Sequence, residues 1–169
     1  MGEVTIQDIL DEVQEIKPNT LSEALAIKYL SRLDLQLWEE LLSWHDGIDD
    51  YYTHMFDVDA EGNETSKLPY SAKTNTLLVP YEYAALYVDY LVMKIDLINN
   101  DLQRYNNSAI NFSAMLDSFA SYINRNYMPS KAYRVGINSA SNLTYRQMLK
   151  KVMQNDREMS EIETLLGGI

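Results

Sequence analysis

The sequence predicts a protein of the all-α class, a small helical bundle built on a long antiparallel helical hairpin. Apolar residues recur at steps of three and four along most of its 169 residues, which is the spacing of one helix face. Glycine and proline are scarce, with 6 and 4 copies, and they stand at the ends of the periodic stretches. Two further features complete the prediction, a long acidic loop over 45–76 and a C-terminal amphipathic helix.

The N-terminal part contains two predicted helices. Thr5 is a suitable N-cap for the first helix, with Asp8 at the third helical position, and Pro18 ends that helix. Thr20 and Glu23 have the spacing of a capping box at the start of the second helix. The apolar stripes are Ile6, Ile9, Leu10, Val13 and Ile16 in the first helix and Leu30, Leu33, Leu37, Leu41 and Trp44 in the second.

Residues 45–76 interrupt this periodicity. The stretch is polar and acidic, with glycine, asparagine, serine and proline scattered through it. A loop of this length in a compact domain is usually functional or mobile. Within it, Glu61-Gly62-Asn63 allows a short hairpin, and the aromatic residues of 51–56 could form a strand or attach the loop to the core.

A long hairpin follows this loop. Pro80 suits a first helical position, and apolar residues recur without a break over 81–105, which predicts one long helix. Asn106-Asn107-Ser108 then supplies a helix stop and a new N-cap. Because so short a connection forces the next helix to run antiparallel, the two helices form a hairpin. The predicted helical body spans 1–129 and is closed by Pro129.

The C-terminal part, 130–169, is predicted to be a linker followed by an amphipathic helix. Residues 130–142 are rich in serine, asparagine and alanine, and Thr144 with Gln147 forms a second capping box. The helix has an apolar seam of heptad spacing with one polar member. The candidate protein-interaction residues are the seam, Met148, Val152, Asn155, Met159, Ile162 and Leu166, and the neighbouring bases Arg146, Lys150 and Lys151. The alternative, a helix that folds back onto its own domain, stays open.

Charge is distributed unevenly along the chain. The net charge is −11, and residues 1–65 hold 16 acids and 3 bases, whereas residues 125–169 hold 4 acids and 7 bases. An acidic body repels phosphate, which argues against nonspecific nucleic-acid binding over a broad face. The basic C-terminal end could bind an acidic partner, including the acidic N-terminal half of a second copy.

Composition also limits the chemistry that the chain can perform. With no cysteines, it can form neither disulfides nor thiolate metal sites. No apolar run reaches the roughly 20 residues of a membrane helix, and the first residues lack the features of a secretion signal. The two histidines, His45 and His54, lack the spacing of a zinc or di-iron motif, so each is interpreted as a polar loop residue. We predict no catalytic, metal-binding or cofactor-binding residue, and no cofactor.

Two acidic patterns and the many tyrosines each allow two interpretations. Residues 57–62 match the first half of an EF-hand loop, but Leu68 stands where its bidentate glutamate belongs, so a solvated loop is favoured. Glu82, Asp89 and Asp96 recur every seven residues, either at a subunit interface or, as we favour, on a solvated helix face. Thirteen tyrosines are too many to bury in a domain this small, so some are expected at interfaces.

Two stretches of the chain carry a family resemblance. The first contains Asp8-Ile9-Leu10-Asp11-Glu12-Val13 and Ile16-Lys17-Pro18-Asn19. The second contains Leu78-Val79-Pro80-Tyr81, Tyr87-x-x-Tyr90-Leu91, Ile95-Asp96, Tyr105-Asn106-Asn107, Phe112 and Tyr127-x-Pro129. Together they resemble the small head–tail connector (head-completion, adaptor) proteins of tailed bacteriophages and prophages of Gram-positive bacteria. The likeness covers 4–42 and 77–129, somewhat over half of the chain.

The resemblance implies a non-enzymatic all-α subunit that assembles as a ring, commonly twelvefold, beneath the portal. Such a ring binds the portal protein and tail-side connector proteins and has no membrane partner. DNA passes through its channel without specific binding. The implied location is the host bacterial cytoplasm during assembly and then the head–tail junction of the virion. Two departures from the family are the long loop at 45–76 and the roughly forty residues after Pro129.

Two other classes of protein remain open as alternatives. One is a small acidic regulatory module, monomeric or dimeric, that binds a basic partner protein. The other is an enzyme, which we consider third because no carboxylate pair is marked out by its spacing.

Overall fold

A computed structural model of the chain describes residues 2–18 and 21–130. The chain divides into two units, 1–129 and 130–169. The linker and amphipathic helix predicted over 130–169, apart from Ser130, lie outside the described residues. Within the described residues, no helix is both long enough and apolar enough to cross a lipid bilayer.

Helix α1, Ile6–Ile16, begins as its sequence predicts. The Thr5 hydroxyl accepts from the Asp8 backbone N–H, and the Asp8 carboxylate accepts from the Thr5 backbone N–H at 2.9 Å. This capping box satisfies donors that the first helical turn leaves free. Hydrogen bonds from Thr5 also lower the pKa of Asp8, because they favour the charged carboxylate. The buried side chains of α1 are Ile6, Ile9 and Val13.

Helix α2, Glu23–Glu40, begins two residues later than its predicted capping box. Ser22 rather than Thr20 is the N-cap, and its hydroxyl accepts from a backbone N–H at 3.3 Å. The leucines of the predicted stripe are buried, whereas Trp44 is exposed. Trp44 leaves the stripe because α2 ends before it and a 3-10 turn carries Leu42–Trp44.

The prediction of one long loop over 45–76 is wrong in one respect, because short helices and strands form much of this stretch. Strand β1 is His45–Asp46, helix α3 is Asp49–Met55, strand β2 is Phe56–Val58 and strand β3 is Glu64–Ser66. The hairpin predicted around Glu61-Gly62-Asn63 is confirmed, with β2 and β3 antiparallel and Val58 opposite Glu64. Helix α3 spans fewer than two full turns, too few for its periodicity to be recognised in the sequence.

The segment 73–81 joins the start of the chain to the helical body. Thr5 and Thr76 form an antiparallel bridge, and the Leu77 backbone N–H donates to the Val4 carbonyl at 2.8 Å. These bonds hold the segment that precedes the hairpin against the segment that precedes α1.

The helical hairpin is present, but its turn lies seven residues before the predicted one. Helix α4 is Ala85–Ile98 and helix α5 is Leu102–Asn126, and the two pack against each other. Asn106-Asn107-Ser108 therefore lies inside α5 rather than in a turn. Asn100 adopts a left-handed φ of 56°, and the Asp101 side chain caps α5 by accepting from the Arg104 backbone N–H at 3.0 Å.

The body is mostly helical but not purely all-α, because it also contains two short antiparallel sheets of two strands each. One sheet is the β2–β3 hairpin. The other pairs β1 with β4, Met128–Pro129, and places His45 opposite Pro129. The core draws buried side chains from all five helices, including Ile9, Leu33, Met55, Leu91 and Phe112.

Candidate functional site

A buried carboxylate joins three distant parts of the body. Asp34 of α2 accepts hydrogen bonds from the Tyr70 hydroxyl at 2.5 Å, from the Tyr87 hydroxyl and from the Leu78 backbone N–H at 3.0 Å. The Tyr87 hydroxyl in turn accepts from the Val79 backbone N–H at 2.9 Å. The cluster therefore connects α2, the segment before the hairpin and α4.

The fold alters the ionisation of this carboxylate. Burial raises the pKa of Asp34 from 3.8 to about 6, although its three hydrogen-bond donors act in the opposite direction. Burial and the Asp34 charge together raise the pKa of Tyr70 and Tyr87, so both phenols remain proton donors. Buried acids of this kind can serve as catalytic groups. Its hydrogen bonds from Tyr70, Tyr87 and Leu78 join separate segments of the fold, so we interpret the cluster as structural.

The burial of two charged residues, Asp34 and Lys94, is not predicted from the sequence. Asp34 follows Leu30 by four residues and precedes Leu37 by three. This spacing places it on the apolar stripe of α2 and therefore indicates that it is buried. Lys94 of α4 is buried, and its Nζ lies 5.1 Å from the ring centroid of Tyr29 and 5.0 Å from that of Tyr90. Cation–π attraction stabilises a lysine in this position, and periodicity alone does not predict it.

The structure corrects the solvated acidic face predicted for the long helix. Asp96 is buried, accepts from the Ser108 hydroxyl at 2.7 Å and pairs with the Lys17 ammonium. Asp89 is half-buried, and burial raises the pKa of its carboxyl. Of the three predicted acids, Glu82 alone is exposed. Asp96 therefore joins α1, α4 and α5 instead of facing solvent.

His45 is buried rather than a polar loop residue. Its Nδ1 lies 2.9 Å from the Leu41 carbonyl oxygen, and its Nε2 lies 3.1 Å from Oδ1 of Asn124. The Asn124 amide donates to the Ala120 carbonyl at 2.8 Å, which directs Oδ1 toward the imidazole. His45 thus connects the end of α2 to the end of α5.

Several tyrosines cluster where α3, α5 and the residues before α4 meet. Ring centroids of Tyr83 and Tyr122 lie 5.2 Å apart, and those of Tyr51 and Tyr127 lie 5.7 Å apart. Phe119 contacts both Tyr51 and Tyr83. Burial raises the pKa of Tyr51, and the neighbouring phenols act in the same direction. These rings form one end of the core.

A cavity of about 310 Å³ lies between the start of the chain, α3 and the segment 77–80. Its polar wall includes Glu3, Asp50 and His54. The His54 Nδ1 donates to the Leu77 carbonyl at 3.1 Å, which fixes the imidazole against the wall. A cavity of this volume can hold a small ligand. Among the residues that the structure describes, no three His, Asp or Glu side chains are arranged to hold a metal ion.

Within the acidic residues 57–62, the Asp59 carboxylate stabilises a turn. The Asp59 carboxylate accepts from the backbone N–H of Glu61 at 3.0 Å and from that of Asn63 at 2.7 Å. The Asn63 side-chain amide donates to the same carboxylate at 2.9 Å. These bonds, with Asn63 foremost, lower the pKa of Asp59. Because the Asp59 carboxylate accepts hydrogen bonds within the turn, these contacts support the interpretation of an acidic solvated loop over that of an EF-hand loop.

The residues predicted for protein interaction, the seam and its bases over 146–166, lie outside the described residues. Within the described part, large apolar side chains are exposed at Ile16, Leu35, Trp44, Val58, Tyr81, Ile98, Leu102, Ile110 and Met128. No family model, curated protein or solved structure significantly matches the chain.

Proposed function

We propose that the chain is a non-enzymatic structural protein of a phage or prophage particle, a subunit of an adaptor ring. The ring joins the portal to the tail and continues the DNA channel. The proposal starts from the resemblance of 4–42 and 77–129 to small head–tail connector proteins. It includes a helical body over 1–129, built on the antiparallel hairpin, and a linker with an amphipathic helix over 130–169.

The observation that carries the proposal is that the two stretches with the resemblance pack together. The Leu77 backbone N–H donates to the Val4 carbonyl at 2.8 Å, and Lys17 pairs with the buried Asp96. Two stretches that are distant in the sequence thus meet through specific bonds. Packing of this kind makes the two stretches parts of one helical body, which is the subunit body that the proposal requires.

The surface composition supports the proposal as well. An acidic wall lets DNA slide through a channel without adhering to it. Exposed apolar side chains such as Tyr81 and Leu102 suit a subunit that buries them against neighbours. A closed ring of identical subunits uses such surfaces in heterologous contacts, one face of each subunit meeting a different face of the next.

The proposed partners follow from this role. They are further copies of the chain, commonly twelve, the portal protein and tail-side connector proteins, with no membrane partner. DNA passes through the ring without specific binding. The seam and bases of 146–166 are the proposed protein-interaction residues. The subunit occupies the host bacterial cytoplasm during assembly and then the head–tail junction of the virion.

The proposal is tested by measuring whether the full chain assembles into a ring, by itself and in the presence of the portal protein. The full chain is purified alone and with the portal protein encoded in the same genome, and mass is measured by light scattering over a concentration series. We expect a ring of many chains with a central channel in negative-stain electron microscopy, formed alone or on the portal. A mass of one or two chains under all these conditions, with no portal complex, contradicts the proposal.

The alternative function is a small acidic regulatory module that binds a basic partner protein. The observation that favours it is the run 45–66, which holds seven acids and no Lys or Arg. This alternative requires a monomer or dimer at every concentration and salt-sensitive binding to a basic protein. The same light-scattering series therefore separates the two functions.

A further inference from the structure

We propose that an aromatic face on α2, α3 and β2 binds the amphipathic segment 144–166 of a second copy of this chain, chiefly through its basic first half, 144–155. The aromatic face consists of Leu35, Trp38, Tyr52, Phe56 and Val58. The inference rests on the proposed function, because it names the contact that joins neighbouring subunits.

The aromatic face is continuous and open to solvent. The Trp38 ring centroid lies 5.9 Å from that of Tyr52 and 5.4 Å from that of Phe56, and the last two lie 4.9 Å apart. All three rings are half-buried. Leu35, one helical turn before Trp38, is 41% exposed, and Val58, on the same strand face as Phe56, is 57% exposed. An apolar patch of this kind on a small body marks a contact surface.

The protein holds this face in a fixed geometry. The Lys67 ammonium donates to the Thr53 carbonyl at 2.6 Å and lies 3.2 Å from the Asp57 carboxylate. The Lys67 backbone N–H donates to the Met55 carbonyl at 2.9 Å. These contacts attach the β2–β3 hairpin to α3. Because the rings are held before binding, little conformational entropy is lost when a partner covers them.

The surroundings of the face are acidic. Residues 45–66 hold seven Asp or Glu and no Lys or Arg. Glu64 lies opposite Val58 across the hairpin, and its hydrogen bond raises the pKa of Tyr52. Two bases lie near the face in the sequence: Lys67, which is paired with Asp57, and Arg32, one helical turn before Leu35 on α2. A negative rim around an apolar centre selects a partner that is apolar on one side and basic at its edges.

The segment 144–166 has this composition in its first half, because 144–155 holds three bases and no acid, whereas 156–166 holds one base and four acids. Its seam contains methionines at 148 and 159, whose flexible side chains adapt to irregular apolar surfaces. Arg146, Lys150 and Lys151 can pair with the acidic rim and lie against aromatic rings. Because the face and the segment belong to the same chain, copies joined in this way make heterologous contacts, the type of contact that a closed ring uses.

Complementation between two full-length variants tests the contact. Val58→Asp places a charge in the aromatic face, and Val152→Asp places one in the seam. We expect the wild type to associate with rising concentration in sedimentation velocity, and each variant alone to associate at least about tenfold more weakly. An equimolar mixture should recover a one-to-one pair, because each variant supplies the surface that the other lacks.

Ile110→Asp is the matched control, because Ile110 is 67% exposed on α5 and lies outside the aromatic face. It should associate as the wild type does, and circular dichroism should show that all three variants keep their helices. Salt should weaken association of the wild type, since the rim contacts are charged.

Three results overturn the inference: Val58→Asp associates as the wild type does, the mixture of variants recovers no pair, or the wild type stays a single chain at every concentration. These results do not by themselves reject the proposed function. A ring or portal complex that forms in Val58→Asp keeps the adaptor role and rejects this contact alone. Failure of the wild type to bind a portal rejects the adaptor role.

Discussion

The Asp34 carboxylate links the stability of the fold to pH. Its pKa is about 6 in the folded protein, above its ordinary value of 3.8. The folded state therefore holds the proton more tightly than the unfolded state does. The resulting stabilisation is complete below pH 3.8 and is lost as the pH rises through about 6, and the pKa difference corresponds to about 3 kcal/mol.

Asp34→Asn should remove this pH dependence. We expect the free energy of unfolding of the wild type, relative to that of the variant, to fall by up to about 3 kcal/mol between pH 4 and pH 7. Comparison with the variant cancels the titration of the other acids. The measurement is urea unfolding followed by circular dichroism at several pH values. A difference that stays constant across this range contradicts the raised pKa.

Tyr70→Phe is the control for the cause of the shift. It keeps the carboxylate but removes the hydroxyl that donates to Asp34 at 2.5 Å. Because that bond favours the charged form, its loss should move the pH-dependent loss of stability to higher pH. A variant in which the transition moves to lower pH contradicts the assigned hydrogen bond.

At the scale of elements, the sequence contains two equivalent turn signals and the fold uses one of them. Asn99-Asn100-Asp101 and Asn106-Asn107-Ser108 each offer a residue that tolerates left-handed φ, followed by an N-cap. The hairpin turns at the first triplet, and Ser108 instead donates to the buried Asp96 at 2.7 Å. Local capping chemistry cannot choose between the triplets, because the choice depends on which turn lets α5 pack along α4.

Asp101→Ala and Asn106→Ala should shift stability in opposite directions. Asp101 caps α5, so its loss should lower the free energy of unfolding by about 1 kcal/mol. Asn106 is exposed inside α5, where alanine is the better helix former, so that variant should gain up to about 0.5 kcal/mol. Urea unfolding measures both. A larger loss in Asn106→Ala than in Asp101→Ala would place the turn at 106–108.

Other parts of the fold differ in how directly the sequence specifies them. The Thr5 cap and the β2–β3 hairpin depend on nearby residues, and both are predicted correctly. Asp96 and His45 are assigned to the wrong environments, because their burial depends on residues far away in the chain, whereas Trp44 is misplaced because α2 ends before it. The aromatic face was overlooked for the same reason, since Trp38 meets Tyr52 and Phe56 only after α2 and the hairpin pack.

At the scale of the whole molecule, charge separates the helical body from the C-terminal part. The segment 130–169 carries six Lys or Arg and four Asp or Glu, so the remaining 1–129 carries a net charge of −13. The body is therefore more acidic than the complete chain. Like charge keeps bodies apart, and a basic segment lowers that repulsion where it contacts a neighbour.

Deleting 130–169 should leave a folded helical body but weaken ring or portal assembly. Helices α1 to α5 and the buried clusters around Asp34, His45 and Asp96 all lie within 1–129, so the helical circular dichroism of that part should persist. Self-association and portal binding should fall, because the truncated chain lacks the seam and its bases. Sedimentation velocity and portal pull-down measure both. Loss of helical signal contradicts the proposed domain division, whereas a folded truncation that still assembles contradicts the role of the C-terminal segment.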